Sequence, residues 1–284
     1  MTNTITICHS IVELRRVLHE RRRAGHSIGL VPTMGALHAG HGRLIERARA
    51  ESRCVVVSVF VNPLQFDRPD DLERYPRTLD SDVQLCDSRG VDVVFAPAVR
   101  DIYPTPQICT IDVGHLADHL CGKFRPGHFR GVATVVMKLL QIVQPDAAYF
   151  GEKDAQQLAI IRRVISDFNV PVQIVGVPTV REDDGLALSS RNVRLSPDER
   201  RRAPVLYDAL IEAGAAIRSG VTDVDEIRAR ARARIPEDET LRLEYLDVVD
   251  ADELQPVATV AGPVLIAGAL WVGTTRLIDN ISVG

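Results

Sequence analysis

The sequence predicts an α/β protein in which a parallel sheet carries helices on both faces, followed by a smaller C-terminal α+β domain with an antiparallel sheet. Up to about residue 180, short apolar and β-branched stretches alternate with amphipathic helical patterns. The predicted strands are apolar throughout, as in sheets that are covered on both faces. Beyond that point, three β-rich stretches follow one another without helices between them, which favours antiparallel pairing.

Local signals place the elements of the first domain. Ser10 and Glu13 have the spacing of a capping box, so a helix begins at residue 11 and ends before Gly25. Pro32 is expected to end the first buried strand, which covers residues 27–31. Further strands are predicted at residues 54–61, 91–96, 147–150 and 172–177, and helices at residues 41–52, 79–88, 129–143 and 155–168.

The change of pattern divides the chain into two predicted domains, residues 1–180 and residues 181–284. In the second, Ser196, Pro197 and Glu199 mark the start of a helix that is expected to continue to about Arg218. A second helix is predicted at residues 223–234, and strands at residues 242–249, 264–272 and 276–282.

The composition argues against several classes of protein. The 284 residues carry 34 basic and 38 acidic side chains, a net charge of −4, which gives no overall attraction to nucleic acid or to an anionic membrane. The five cysteines form no C-x-x-C pair, which argues against a disulfide framework and a zinc knuckle. No apolar run has the length of a membrane span, and the first ten residues lack a secretory pattern. We therefore expect a cytoplasmic protein.

The strongest functional signal is the turn after the first predicted strand, PTMGALHAGH at residues 32–41. Small residues let the backbone approach a bulky anion, and the following helix directs N–H groups and its positive dipole end toward that anion. His38 and His41 lie where this helix begins, so both imidazoles can face one phosphate cluster as a pyrophosphate leaves. The alternative is a tight turn with two solvated histidines, which the position after a buried strand disfavours.

A second cluster, GEKD at residues 151–154, directly follows the strand predicted at residues 147–150. Lys153 is one of only three lysines, and the carboxyl end of a parallel strand is where a phosphoryl ligand binds. Asp154 and Gln157 also have the spacing of a capping box. Asp154 is therefore either a helix cap or a ligand, and both roles are compatible.

Three further stretches carry polar side chains suited to a small anionic substrate. LSSRN at residues 188–192 offers two hydroxyls and a guanidinium to a phosphate, although taken alone it is typical of a polar linker. Asn62 and Gln65 follow the second predicted strand, and their amides can bind hydroxyl and carboxylate groups. Arg125 precedes the long buried helix and can hold an anion, although a loop arginine is more often solvated.

The chain contains, in this order, PTMGALHAGH, FVNPLQF, RPGHFRGV, FGEKD with QQ, LSSRN and a final TRLIDN at residues 275–280. In order and spacing, these motifs resemble the pantoate–β-alanine ligase family essentially from end to end. The two-histidine motif alone is shared with the wider superfamily of class I aminoacyl-tRNA synthetases and nucleotidylyltransferases. The resemblance implies a Rossmann-like first domain.

The resemblance also implies a two-step ligase. ATP would adenylate the carboxylate of pantoate and release pyrophosphate, and β-alanine would then attack the pantoyl adenylate to give pantothenate and AMP. Because adenylation replaces an oxide leaving group by AMP, such a site needs mainly orientation and charge stabilisation. The resemblance further implies a second domain that closes over the ATP site, Mg²⁺ held mainly through the phosphates with no protein ligand assigned, and a homodimer.

The resemblance gives each matching position a role. His38, His41 and Lys153 would contact the phosphates, with His41 in the position of a proton donor. The other catalytic positions, which would close over the triphosphate, are Ser189, Ser190 and Arg191. The remaining ATP-binding positions are Pro32, Thr33, Met34, Gly35, Ala36, Leu37, Ala39, Gly40, Gly151, Glu152, Asp154, Val180 and Leu188. The positions expected to bind pantoate or β-alanine are Gln65 and Gln157, with Asn62, Tyr75 and Arg125 close to them.

Two positions depart from the family pattern. Ala155 stands where an aromatic residue is common, and Gly42 stands where a bulkier apolar residue is common. Neither departure removes a polar group, so they affect the packing of the pocket and the stability of a helix rather than the chemistry. Glycine near the start of the helix costs at most about 1 kcal/mol relative to alanine.

Two other functions are compatible with a nucleotide site. A nucleotidylyltransferase could act on a phosphorylated acceptor, but such an acceptor favours basic residues where this chain has Gln65 and Gln157. A regulator could bind a nucleotide without catalysis, but it would not need the complete set of histidine, lysine, serine and arginine candidates.

Overall fold

The computed structural model describes residues 5–284, which form two compact units. The first unit comprises residues 5–113, 125–152 and 157–178, and the second comprises residues 114–124, 153–156 and 179–284. Each unit is therefore assembled from segments that are separated in the sequence.

The elements within the described residues are as follows. The helices are α1 (Ile11–Arg23), α2 (Ala39–Glu51), α3 (Pro69–Glu73), α4 (Leu79–Ser88), α5 (Val99–Ile102), α6 (Leu120–Phe124), α7 (His128–Val143), α8 (Ala155–Asp167), α9 (Pro197–Arg202), α10 (Val205–Arg218) and α11 (Val224–Arg232). The strands are β1 (Thr6–Cys8), β2 (Ile28–Thr33), β3 (Cys54–Val59), β4 (Val93–Phe95), β5 (Ala147–Gly151), β6 (Gln173–Val177), β7 (Leu241–Asp250), β8 (Val264–Val272) and β9 (Thr275–Val283). Short 3₁₀ turns cover Pro63–Gln65, Gly114–Ala117, Glu152–Asp154 and Asn192–Arg194.

The first unit is organised around a six-stranded sheet in the order β1-β4-β3-β2-β5-β6, and all its pairs are parallel. Consecutive residues of a strand point to opposite faces, so Leu30 joins one apolar cluster and Val31 joins another. Helices α1, α7 and α8 contribute to the first cluster, whereas α2 and α4 contribute to the second. This arrangement confirms the predicted parallel sheet with helices on both faces.

Strand β2 continues through Pro32, so the prediction that the proline ends this strand is wrong. The carbonyl of Thr33 accepts a hydrogen bond from the N–H of Phe60, which places residue 33 on the β3 side of the strand. Pro32 therefore faces the β5 side, where pairing with β2 covers only Gly29 and Leu30. Since the ladder has already ended there, the missing N–H of the proline removes no hydrogen bond.

Helix α2 begins two residues earlier than the sequence pattern indicates. The ring of His38 acts as its N-cap, because Nδ1 accepts a hydrogen bond from the N–H of Gly40 at 3.1 Å. Histidine is not among the preferred capping residues, so no capping signal marks residue 38 in the sequence. The pattern of apolar residues alone therefore placed the start of the helix too late.

The second unit is organised around the antiparallel sheet β7-β8-β9, as predicted. Helices α10 and α11 share an apolar cluster with β7 and β8, which includes Leu210, Ile227 and Ile266. The single long helix predicted from Ser196 onward is wrong, because Pro204 separates α9 from α10. A proline lacks the N–H that would continue the helix, and its ring clashes with the carbonyl four residues earlier.

All five cysteines carry free thiols, and four of them are buried. Burial raises the pKa of Cys54 to about 11 and that of Cys86 to about 12, so neither thiol ionises near neutral pH. No helix within residues 5–284 has the length and apolar character needed to cross a lipid bilayer.

Candidate active site

The turn between β2 and α2 has an unusual backbone that is fixed by one carboxylate. Gly35 and Ala36 both adopt positive φ angles, 81° and 51°. The N–H groups of Ala36 and Leu37 donate to the two oxygens of Asp82, at 3.1 and 2.7 Å, and the hydroxyl of Thr78 also donates to Asp82 at 3.3 Å. Asp82 is only 2% exposed, so its charge is compensated by these donors rather than by water.

The position of Asp82 also explains why residue 35 is a glycine. A Cβ at Gly35 would lie 2.9 Å from Oδ2 of Asp82 and 3.0 Å from Cγ1 of Val59, and a positive φ is strained for any other residue. The sequence suggested that small residues serve the approach of a ligand. The structure shows that they also serve the approach of a carboxylate from α4, which the motif gave no reason to expect.

His38 and His41 lie together at the start of α2, with ring centroids 4.2 Å apart. Nδ1 of His38 accepts from the N–H of Gly40, and Nδ1 of His41 accepts from the N–H of His38 at 3.2 Å. A proton on either Nδ1 would point at another N–H, so the ring proton of each histidine is on Nε2. Each ring therefore has a hydrogen-bond donor at its outer nitrogen.

Gln65 lies in the 3₁₀ turn after β3 and is held at both its side chain and its backbone. Its amide nitrogen lies 3.0 Å from the sulfur of Met34, and its amide oxygen accepts from Asn62 at 3.2 Å. Its backbone carbonyl accepts from Arg125 at 3.1 Å and from Nδ1 of His128 at 2.7 Å. The predicted residues Met34, Asn62, Gln65 and Arg125 therefore form one connected group. His128 of the RPGHFRGV motif, to which the sequence assigned no role, is a further member.

Tyr103 is a second residue to which the sequence assigned no role. Its hydroxyl donates to Oδ1 of Asn62 at 2.9 Å, and the amide of Asn62 also donates to the carbonyl of Gly131 at 3.2 Å. Burial raises the pKa of Tyr103 to about 12, so the phenol keeps its proton near neutral pH and can donate. Tyr103 thus fixes the orientation of the Asn62 amide, which in turn orients Gln65.

Helix α7 approaches this turn so closely that only glycine fits at residue 131. A Cβ at Gly131 would lie 2.1 Å from the carbonyl oxygen of Leu64. We expect Gly131→Ala to displace the turn, to lower the free energy of unfolding by about 2 kcal/mol and to lower kcat/KM about tenfold. Denaturant unfolding and steady-state kinetics measure the two effects.

Gly42→Ala provides the matched control. The atoms nearest to a Cβ at Gly42 would belong to the flexible end of the Arg89 side chain, at 3.2 Å. Alanine in a helix is favoured over glycine, so we expect this variant to gain up to about 1 kcal/mol and to keep its activity. Equal stability and activity of the two variants would contradict the packing argument.

The other predicted residues of the first unit include Tyr75, Gly151, Glu152 and Gln157. Tyr75 is buried and packs edge to face against Phe66, with ring centroids 5.6 Å apart. Gly151 ends β5, Glu152 is exposed on the following 3₁₀ turn, and Gln157 is partly exposed in α8.

The second unit carries the other part of the predicted set. Lys153 is partly exposed in the 3₁₀ turn that follows β5, and its carbonyl accepts from the amide of Asn280 at 2.8 Å. The N–H of Leu188 donates to the carbonyl of Val180 at 2.9 Å, which closes a hairpin directly before Ser189. Ser189, Ser190 and Arg191 are all partly exposed.

The parallel sheet and the two-histidine turn after its central strand β2 define a nucleotide-binding protein of the α/β class. The chain belongs to a particular family within that class, since the family model for pantoate-beta-alanine ligase matches residues 6–282. This match confirms the resemblance that the motifs predict.

Curated relatives support the same assignment. The chain is 53% identical over 265 residues to a bifunctional pantoate ligase/cytidylate kinase of Synechococcus elongatus, and it spans about half the length of that protein. It is 54% identical to a pantothenate synthetase of Sinorhizobium medicae, with 95% of this chain and 94% of the relative covered.

Solved structures agree in fold. A pantothenate synthetase from Thermus thermophilus is 45% identical with a TM-score of 0.92, covering 98% of this chain and 99% of that one. A pantoate-beta-alanine ligase from Francisella tularensis, in complex with beta-gamma ATP and beta-alanine, is 35% identical with a TM-score of 0.81, covering 98% and 97%. At these values the similarity extends over both sheets.

Proposed function

We propose that this chain condenses pantoate with β-alanine at the expense of ATP, through a pantoyl adenylate, and releases pyrophosphate and AMP. The observation that carries the proposal is the pair of imidazoles at the start of α2, each with its Nδ1 accepting from a backbone N–H and its Nε2 therefore assigned as the hydrogen-bond donor. Such donors suit the oxygens of a triphosphate, on which negative charge grows as pyrophosphate leaves.

In the first step, a carboxylate oxygen of pantoate attacks the α-phosphorus of ATP, and the bond to the bridging oxygen of pyrophosphate breaks. We assign His38, His41 and Lys153 to the phosphates, with Ser189, Ser190 and Arg191 completing the set of donors. The imidazoles act here by donating hydrogen bonds to the phosphates, with His41 in the position of the proton donor.

Pantoate is held by Gln65 and Gln157, with Asn62, Arg125 and Tyr75 supporting that part of the site. The structure fixes the amide of Gln65 through Asn62 and Met34, which lowers the cost of ordering it when a substrate binds. In the second step, the amine of β-alanine attacks the acyl carbon of the adenylate and AMP leaves. Orientation contributes most to this step, since the adenylate is already activated.

Magnesium enters with ATP in this proposal, and no protein ligand is assigned to it. The catalytic residues offer imidazole, ammonium, guanidinium and hydroxyl groups, whereas Mg²⁺ prefers anionic oxygens, which the phosphates supply. The ion would neutralise charge on the leaving pyrophosphate. We further propose that the chain acts as a homodimer in the cytoplasm; light scattering of the purified protein tests the oligomeric state.

The decisive experiment follows pyrophosphate and nucleotide products. Pyrophosphate release is expected to require pantoate and ATP but not β-alanine, because adenylation precedes condensation. With β-alanine present, AMP and pantothenate are expected in equal amounts. The appearance of ADP and phosphate would exclude the mechanism, and pyrophosphate release that depends on a phosphorylated acceptor would instead support a nucleotidylyltransferase.

A further inference from the structure

The final motif of the chain, TRLIDN, lies at the start of β9. Its last two residues, Asp279 and Asn280, pair with Gly268 and Ala267 of β8. Each of the two side chains bonds to a different segment of the second unit. These two segments are the ones that carry Lys153 and the Leu188–Arg191 stretch.

Asp279 holds the hairpin that precedes Leu188. Its two carboxylate oxygens accept from both terminal nitrogens of Arg181, at 2.6 and 2.9 Å, and the aspartate is only 5% exposed. Arg181 also donates to the carbonyl of Gly185 at 3.0 Å and stacks 3.9 Å above the ring of Tyr207. A bidentate, stacked arginine of this kind has a single geometry, so the base of the hairpin is fixed to β9.

The predicted phosphate-binding residues follow the hairpin directly, so fixing the hairpin also fixes the position from which they start. Arg181 pairs with Ala187 across the hairpin, and the N–H of Leu188 donates to Val180. One residue further, the hydroxyl of Ser189 accepts from the N–H of Arg191 at 3.2 Å. Residues 188–191 therefore leave the hairpin from a position that Asp279 determines.

Asn280 holds the other segment. Its amide nitrogen donates to the backbone carbonyl of Lys153 at 2.8 Å, across 127 positions of sequence. The N–H of Asn280 donates to Oδ1 of Asp279 at 2.8 Å, and its carbonyl accepts from Arg181 at 3.4 Å. Both attachments therefore converge on one dipeptide, whose Cα atoms are about 3.8 Å apart.

We propose that Asp279 and Asn280 are positioning residues, which hold the backbone of Lys153 and the base of the 188–191 segment at a fixed separation so that both can bind one triphosphate. This inference rests on the proposed function, because it presumes that Lys153 and Arg191 act on phosphates. Neither Asp279 nor Asn280 needs to touch the substrate. Their effect on the rate passes through the residues that they hold.

A double-mutant cycle tests the coupling. Pantoate-dependent pyrophosphate release is measured for Asn280→Ala, Lys153→Ala and the double variant. We expect Lys153→Ala to lower kcat about 100-fold and Asn280→Ala to lower it about tenfold with little change in KM for pantoate. If the side chain of Asn280 affects the rate through Lys153, as proposed, the double variant is expected to be no slower than Lys153→Ala alone.

Two further variants separate positioning from a general loss of structure. Asn280→Asp has nearly the same shape but presents an oxygen to the Lys153 carbonyl, so it is expected to be at least as slow as Asn280→Ala. Ser282→Ala, at an exposed position two residues further along β9, is expected to keep the original rate. If Asn280→Ala unfolds, Asn280→Asp takes its place in the cycle.

The outcomes distinguish the two proposals. If Lys153→Ala is slow but the two effects multiply in the double variant, Asn280 does not act through Lys153 and the positioning role is wrong. A fully active Asn280→Asp variant would overturn it as well. If Lys153→Ala keeps the original rate, the role proposed for Lys153 in the reaction fails, and the inference built on it fails too.

Discussion

His41→Asn is expected to lower the rate of pantoate-dependent pyrophosphate release at least about 100-fold, while leaving the protein folded. Nδ1 of His41 accepts from the N–H of His38, and the proton of its ring is on Nε2. The side-chain oxygen of asparagine can accept the same N–H and preserve the helix cap, but asparagine does not extend to the position of Nε2. The variant therefore removes the hydrogen-bond donor at Nε2 but keeps the hydrogen bond from the N–H of His38.

Two companion variants complete this test. His41→Ala loses both functions and is expected to be as slow as His41→Asn and about 1 kcal/mol less stable. His41→Gln places an amide near the position of Nε2 and is expected to be faster than either. Circular dichroism and thermal unfolding establish that each variant folds. If the folded His41→Asn variant turns over at close to the original rate, the proposed role of the Nε2 donor of His41 is wrong.

Asp82→Ala is expected to destabilise the protein by about 3 kcal/mol, because two partly buried N–H groups lose a charged acceptor. The same change releases the turn at Ala36 and Leu37, whose N–H groups Asp82 holds. A displacement of His38 by about 1 Å would be enough to lower the rate of adenylation roughly 100-fold. Denaturant unfolding and the pyrophosphate assay, run well below the unfolding transition, measure the two effects.

Asp92→Ala is the matched control for this substitution. Asp92 is 4% exposed, accepts from the N–H of Val55 at 2.8 Å and pairs with Arg49 at 2.6 Å. Its loss is expected to cost a similar free energy of unfolding, since it too leaves a buried donor and a charge unpaired. Its bonds to Val55 and Arg49 are made outside the turn at residues 32–38, so the rate per folded molecule is expected to persist. Equal loss of activity in both variants would show that Asp82 matters only for stability.

The fold was largely predictable because its elements depend on local patterns. Apolar stretches gave every longer strand of the parallel sheet, and the capping box at Ser10 and Glu13 placed the start of α1. The failures have local causes as well. Pro32 remains within β2 because the neighbouring ladder has ended, and Pro204 breaks a helix whose pattern of apolar residues continues past it.

For the candidate site, the sequence indicated residues that follow a strand within one motif. His38, Gln65 and Lys153 all satisfy that condition. Asp82, Tyr103 and Asn280 do not, because each acts on a motif from which it is 40 or more positions distant in sequence. Their side chains hold backbone or amide groups, and no local pattern indicates such a role.

The make-up of the second unit affects how it folds during translation. Residues 114–124 belong to this unit, although most of its chain follows residue 178. Phe124 stacks against Tyr245, with ring centroids 5.6 Å apart, and the backbone carbonyl of Lys153 accepts from Asn280. When Phe124 and Lys153 emerge from the ribosome, their partners Tyr245 and Asn280 have not been synthesised, because these are encoded more than a hundred codons later. A nascent chain halted near residue 180 would thus expose an unmatched aromatic ring, and folding of this half is completed only late in translation.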